Sequence, residues 1–170
     1  MKHSSPILPV SNFTTDMRTV LASIDRAPIE YWPVEGGWGY SLADACVIGL
    51  PESTINTTSG IKLEYRFVEK RIYLEMISLR SPGHQYWNIN WELEEQRLIP
   101  ENERKYDKLI FNITAFPETI WEALEKEYNG PEGAGHPDFN LAAHTEIRLS
   151  YQEHFTSEFW FDITRFYGKQ

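Results

Sequence analysis

The apolar positions of this chain recur with two different periods, and the stretch from Ile61 to Arg80 (IKLEYRFVEKRIYLEMISLR) carries the longest regular run. Ile61, Leu63, Tyr65 and Phe67 fall on alternate positions with Lys62, Glu64 and Arg66 between them, the pattern of a half-buried antiparallel strand. Alternation resumes at Ile72, Leu74 and Met76, so the run predicts a hairpin or a bulged strand that bends between Val68 and Arg71. Ile61, Tyr65, Val68 and Ile72 also sit at helical spacing, and a helix is the competing reading. The β-branched and aromatic residues that crowd the segment favour the strand.

Elsewhere the periods are less ambiguous. Met17, Val20, Leu21 and Ile24 recur at helical spacing and Pro28 stops them, predicting a helix from Thr15 to Arg26. Ser41 to Leu50 reads as a buried strand, and Glu52 to Gly60 as a polar loop. Trp87, Ile89, Trp91 and Leu93 alternate with Asn88, Asn90 and Glu92 in a strand, which a polar turn from Pro100 to Arg104 separates from a second strand carrying Leu109, Phe111, Ile113 and Ala115. Pro117 suits the start of a helix whose stripe is Ile120, Trp121, Leu124 and Tyr128, and Asn129-Gly130-Pro131 ends it. Residues 132–138 show no periodicity. Residues 140–155 are ambiguous between helix and strand, with a helix giving way to a strand preferred, and Phe159, Phe161 and Ile163 mark a terminal strand.

Strands joined by short turns and flanked by helices predict an α+β fold. The expectation is a single domain over residues 13–168, with an antiparallel sheet of five to seven strands and two or three packed helices, preceded by an extended arm at residues 1–12 that holds Pro6 and Pro9. A chain of 170 residues fits one core better than two. Six Trp, nine Tyr and nine Phe make that core bulky.

The formal net charge is −9, which argues against a nucleic-acid partner and leaves either plain solubility or a docking surface for a basic protein. Cys46 is the single cysteine, so no internal disulfide forms, and its apolar neighbours predict an inert buried thiol. No segment approaches the length of a membrane span or a signal peptide, which leads to the expectation of a soluble cytoplasmic protein without membrane contact.

Few residue constellations suggest chemistry. Gly36-Gly37-Trp38-Gly39, flanked by Tyr31, Trp32 and Tyr40, is either a ligand-facing loop or a tight turn whose aromatics roof the core, and the turn is preferred. His144-Thr145-Glu146 matches the H-x-E of zinc deaminases, but the paired cysteines of that site are absent, and His144 reads instead as a histidine on the surface of a polar helix. Glu64, Glu69 and Glu75, with Lys70 and Arg71, would cluster on the expected hairpin, where two carboxylates suit acid-base work or, more simply, a charged outer sheet face. No cofactor or metal is expected.

The segments Gly36 to Ile48 (GGWGYSLADACVI), Glu64 to Ile77 (EYRFVEKRIYLEMI) and Phe159 to Thr164 (FWFDIT) together resemble a family of small uncharacterised bacterial proteins. In size and acidity the chain is also similar in general type to the cytoplasmic immunity proteins that neutralise bacterial toxins. The charge of −9, the lack of a complete catalytic or metal constellation and an excess of tryptophans lead to the expectation of a non-enzymatic protein that binds a protein partner. An immunity protein for a basic toxin domain fits best. The candidate binding surface is Trp38, Tyr40, Glu64, Glu69, Arg71, Trp87, Trp91, Glu92, Glu94 and Glu95. Two alternatives stand beside it: a small-ligand cavity lined by Trp32, Trp38, Trp87 and Trp91, and a hydrolase using Glu64 or Glu69.

Overall fold

A long helix laid across one face of a five-stranded sheet organises the chain, in a computed structural model that describes residues 15–50 and 54–170. The expected arm at residues 1–12 lies outside the described residues. The elements in chain order are α1 (Met17–Asp25), β1 (Val34–Gly36), β2 (Cys46–Ile48), α2 (Thr57–Tyr73), β3 (Tyr86–Glu101), β4 (Arg104–Pro117), α3 (Glu118–Tyr128), α4 (Leu141–Ser150) and β5 (Glu153–Asp162).

The α+β class holds, with two corrections. The sheet has the order β1-β2-β5-β4-β3 and is mixed, because β2 runs parallel to β5 through Cys46 opposite Phe161 and Val47 opposite Asp162. Strands so far apart in sequence are joined by a crossover rather than a hairpin, which permits the parallel pairing. The described residues also hold four α-helices: three were expected, including the helix that gives way to a strand within residues 140–155, and the fourth, α2, replaces the expected hairpin. The strand expected from Ser41 to Leu50 shrinks to three residues after a short 3₁₀ turn at Leu42–Asp44.

The larger correction is the stretch Ile61 to Arg80, which is helical: α2 continues into one π-helical turn at Leu74–Ser78. The buried positions of this run are Gly60, Leu63, Glu64, Phe67, Val68, Arg71, Ile72, Leu74, Glu75 and Met76, of which three are charged. Ile61 and Tyr65, members of the apparent alternation, face outward, as does Tyr73. The helix begins in what looked like polar loop: Asn56 Oδ1 accepts from Ser59 N at 2.9 Å, while Ser59 Oγ accepts from Asn56 N at 3.0 Å.

Beneath α2, Leu109, Phe111 and Ile113 of β4 and Phe155, Phe159 and Phe161 of β5 form the core floor. Phe67 meets Phe161 edge-on with centroids 5.5 Å apart, an arrangement favoured by the ring quadrupoles. Trp32 and Trp38 belong to this core. The Gly36–Gly39 stretch is therefore the expected turn. Gly39, at φ +77°, brings its backbone against Trp160, where a Cβ would stand 2.9 Å from the carbonyl oxygen.

β3 and β4 form a long hairpin closed by a two-residue turn at Asn102-Glu103, with Asn102 at φ +53°. β4 alternates buried and half-buried positions from Asp107 to Ala115, whereas β3 contains no fully buried residue. It is the outer strand, and it slips register twice, between Trp87 and Asn90 and between Leu93 and Glu95. In α3 only Leu124 of the expected stripe is fully buried; Tyr128 is among the exposed large apolar residues.

Candidate functional site

Where α2 leaves the sheet's outer strand uncovered, a groove of about 570 Å³ opens. One wall is Ile72, Tyr73 and Ile77; the other is Tyr86, Trp87 and Trp91 of β3, and Ile24 and Arg26 close the end. The register shift after Trp87, with Asn88 at φ +50°, bends β3 locally, and such bulges re-aim side chains. Trp87 and Trp91 are left 47% and 40% exposed, and both line the groove.

The charged rim of the groove is fixed. Lys70 Nζ lies 2.9 Å from Asp25 and 2.8 Å from Glu69, and Arg66 completes the set by pairing with Asp25. Burial works to raise the Asp25 carboxyl, but Lys70 and Arg66 outweigh it and hold the group below its usual range. At the far end Tyr86 Oη donates to Glu153 Oε2 at 2.8 Å, and burial, followed by that carboxylate, pushes the phenol up to about 12.

Beyond the groove β3 carries Glu92, Glu94, Glu95 and Glu101, and the turn carries Glu103. Glu95 is paired with Arg97; Glu92, Glu94, Glu101 and Glu103 are exposed and have no cation within ion-pair distance among the described residues. The outer edge of β3 pairs with no strand among the described residues. Exposed tryptophans, an unpaired strand edge and unneutralised carboxylates thus coincide along one element.

Of the ten residues picked from the sequence, this edge gathers Glu69, Trp87, Trp91, Glu92, Glu94 and Glu95. Trp38, Glu64 and Arg71 are buried and are no part of a docking surface. Tyr40 lies with them, because the Arg71 guanidinium sits between its ring and that of Phe159, 4.3 and 3.6 Å from the centroids. Arg71 donates to Trp38 O at 2.8 Å and to Ser157 Oγ at 3.0 Å, and its Nε stands 3.2 Å from Glu75 Oε1, the oxygen that also accepts from Tyr40 Oη. Burial lowers Arg71 and raises Glu75 from their usual ranges, while each charge pulls the other back.

Glu64 is the most perturbed acid. Burial, and then the charge of Asp107 across the interface with β4, pushes its carboxyl up to about 9. Asp107 is itself raised by burial, against a hydrogen bond from Gln96 Nε2 at 2.5 Å. A neutral Glu64 exerts no charge on its neighbour, so the repulsion acts on Glu64 alone. None of Glu64, Arg71 and Glu75 lines the groove. Residues 64 and 69 are about 140° apart around a helix, so the paired-carboxylate arrangement expected of a hairpin does not form. Cys46 is fully buried, and burial raises its thiol well above the ordinary range, which makes it a poor nucleophile.

Tyr73, Ile72, Ile77 and Ile24 complete the groove but carry no sequence motif; only the helical register of α2 could have pointed to Tyr73. His144, expected on a surface, is buried, whereas His154 is exposed. Among the described residues no group of three or more His, Cys, Asp or Glu is placed to hold a metal ion, and no helix is long and apolar enough to cross a membrane. No protein-family model matches the chain, and neither a curated protein nor a solved structure matches it with significance.

Proposed function

We propose that this protein acts by binding another protein, capturing an extended cationic segment along β3 with an apolar anchor in the adjoining groove. The observation that carries the reading is the coincidence of two exposed tryptophans with the unpaired outer edge of a 16-residue strand. A peptide added to such an edge gains main-chain hydrogen bonds, and tryptophans that become buried on binding are the commonest hot spots, each worth roughly 2 kcal/mol or more. The unpaired Glu92, Glu94, Glu101 and Glu103 favour a basic partner and speed its encounter. A basic toxin domain neutralised in the cytoplasm by this chain as its immunity protein is the partner class that fits these properties best.

A groove of about 570 Å³ also lies within the size of ligand pockets, ~300–1,000 Å³, so a small aromatic ligand is the second reading. It uses Trp87 and Trp91 alone, since Trp32 and Trp38 are core residues. The hydrolase reading finds no geometric support, because the acid it needs most, Glu64, is enclosed.

The test compares a partner recovered by affinity capture against three chains: wild type, the Trp87→Ala/Trp91→Ala double variant, and Glu92→Lys/Glu94→Lys. The expected result is a loss of affinity on the order of 1,000-fold with both tryptophans removed, worked from ~2 kcal/mol for each. Charge reversal should lower the association rate more than it raises dissociation, with a steep salt dependence. A partner held equally well by all three chains overturns the assignment.

A further inference from the structure

A second cleft, remote in sequence from the β3 edge, lies between α3 and α4 and has a volume of about 430 Å³. Trp121, Leu124, Glu125 and Tyr128 face it from α3, and Leu141, His144, Thr145 and Arg148 from α4. The spacing 121, 124/125, 128 and 141, 144/145, 148 is one face of each helix, so the two faces line the cleft along its length. Leu124 forms an apolar floor, and the rings of Tyr128, Phe139 and His144 pack against one another with centroids 5.4 to 5.9 Å apart.

The cleft carries two opposite charges that no ion pair among the described residues neutralises. Arg148 and Glu125 carry opposite charges into the same space, yet they are not within ion-pair distance of each other, and neither side chain has an ion pair or hydrogen bond elsewhere among the described residues. His144 is 6% exposed, and its Nδ1 has no hydrogen-bond partner, the nearest acid being Glu127 Oε1 at 3.6 Å.

We propose that this cleft binds a free α-amino acid with a large apolar side chain. The carboxylate lies on the Arg148 guanidinium, whose planar fork suits a bidentate contact, and the ammonium on Glu125. The side chain covers Leu124 between Trp121 and Tyr128, where aromatic walls and an apolar floor match it. A ligand with one charge leaves either Arg148 or Glu125 unanswered; the zwitterion answers both.

The experiment titrates the ¹⁵N-labelled full chain with L-phenylalanine and L-leucine, following the Trp121 indole N–H resonance, which is assigned by its absence in Trp121→Phe. Saturable movement of that resonance is expected, with affinity falling by about tenfold or more in Arg148→Ala and in Glu125→Gln, the loss of one charge-assisted hydrogen bond. Neither side chain has an ion pair or hydrogen bond among the described residues, and an unchanged spectrum elsewhere verifies that each variant is folded. N-acetylphenylalanine and phenylalanine amide, which each lack one charge, should bind more weakly than the amino acid by a similar factor. No movement up to the ligands' solubility limit overturns the proposal. Equal binding of N-acetylphenylalanine and phenylalanine overturns it as well, and shows a simple carboxylate site.

Discussion

Replacing Glu64 by Gln should make the protein more stable at neutral pH and change the form of its stability curve. The Glu64 carboxyl titrates at about 9 in the fold and near ~4.3 in the unfolded chain, so between those values the folded state keeps a proton that the unfolded state has released. Stability therefore falls as pH rises through this window, by up to ~1.4 kcal/mol per unit, and levels off above about 9. By about pH 7.5 the accumulated loss reaches at most ~4 kcal/mol, a large part of the ~5–15 kcal/mol that holds a domain together. Gln has the same shape and no ionisation, so Glu64→Gln should match wild type near pH 4.5 and exceed it by roughly 2–4 kcal/mol near pH 8. Urea unfolding across that range reads this as a midpoint about 1–2 M higher for the variant at the alkaline end. Parallel curves for the two chains would refute the reasoning, for they would mean that water or a cation reaches Glu64 and that its burial carries no ionisation penalty.

Three further outcomes follow from the packing. Arg71→Met should destabilise by about 3–5 kcal/mol in the same assay, because Glu75 is left buried without its cation, and adding Glu75→Gln should restore a good part of the loss. Gly60→Ala should lower the melting temperature despite the ~1 kcal/mol gained in helix propensity, since the new Cβ would stand 2.5 Å from the Phe166 ring and overpacking costs about 1–3 kcal/mol; a stabilised variant would show that the ring can move aside. In native-state hydrogen exchange the amides of Asn90 to Glu101 should exchange faster than those of Leu109 to Ala115, as β3 has a single neighbour, two register shifts and no fully buried residue; equal protection would refute the picture of a loosely held edge.

How much of this was legible in the residues depended on whether the face toward the core was apolar. α1, the β3–β4 hairpin and α3 could be read directly because their periods are carried by Leu, Ile, Trp and Phe. α2 could not, because Glu64, Arg71 and Glu75 occupy core-facing positions of its stripe while Ile61, Tyr65 and Tyr73 point outward. Charged residues on the buried stripe and apolar residues off it blur the helical period, and the alternation at Ile61, Leu63, Tyr65 and Phe67 then reads as a strand. Local chemistry offered a corrective signal, since Asn56 and Ser59 form a helix cap ahead of a run free of Pro. The same substitution of charge for hydrophobe misdirected the site list: Arg71 resembled a surface group because, Glu75 apart, the partners that admit it to the interior come from the Trp38 loop and from β5, and Glu64 resembled one although burial holds its carboxyl in the neutral form. Trp87 and Trp91 were legible as exposed candidates only through their strand; the opposite wall of their groove depends on how α2 crosses the sheet.

The buried ion pair and the exposed edge belong to one division of the molecule. Arg71 ties α2 to the Trp38 loop and to β5, so the central strands are fastened by hydrogen bonds as well as by the aromatic core. β3 is joined to the sheet by its ladder with β4 and by half-buried side chains, and it contributes little that the core requires. Such an edge is an aggregation hazard unless something discourages a second copy from pairing with it. Glu92, Glu94 and Glu101 give β3 a negative charge that two copies laid side by side would set against itself, and like charges on neighbouring strands destabilise. The repulsion vanishes for a strand that brings Lys or Arg. On the proposed reading, the charges that keep copies of this chain apart are therefore the ones that select its partner, and specificity at this edge follows from what it rejects as much as from what it holds.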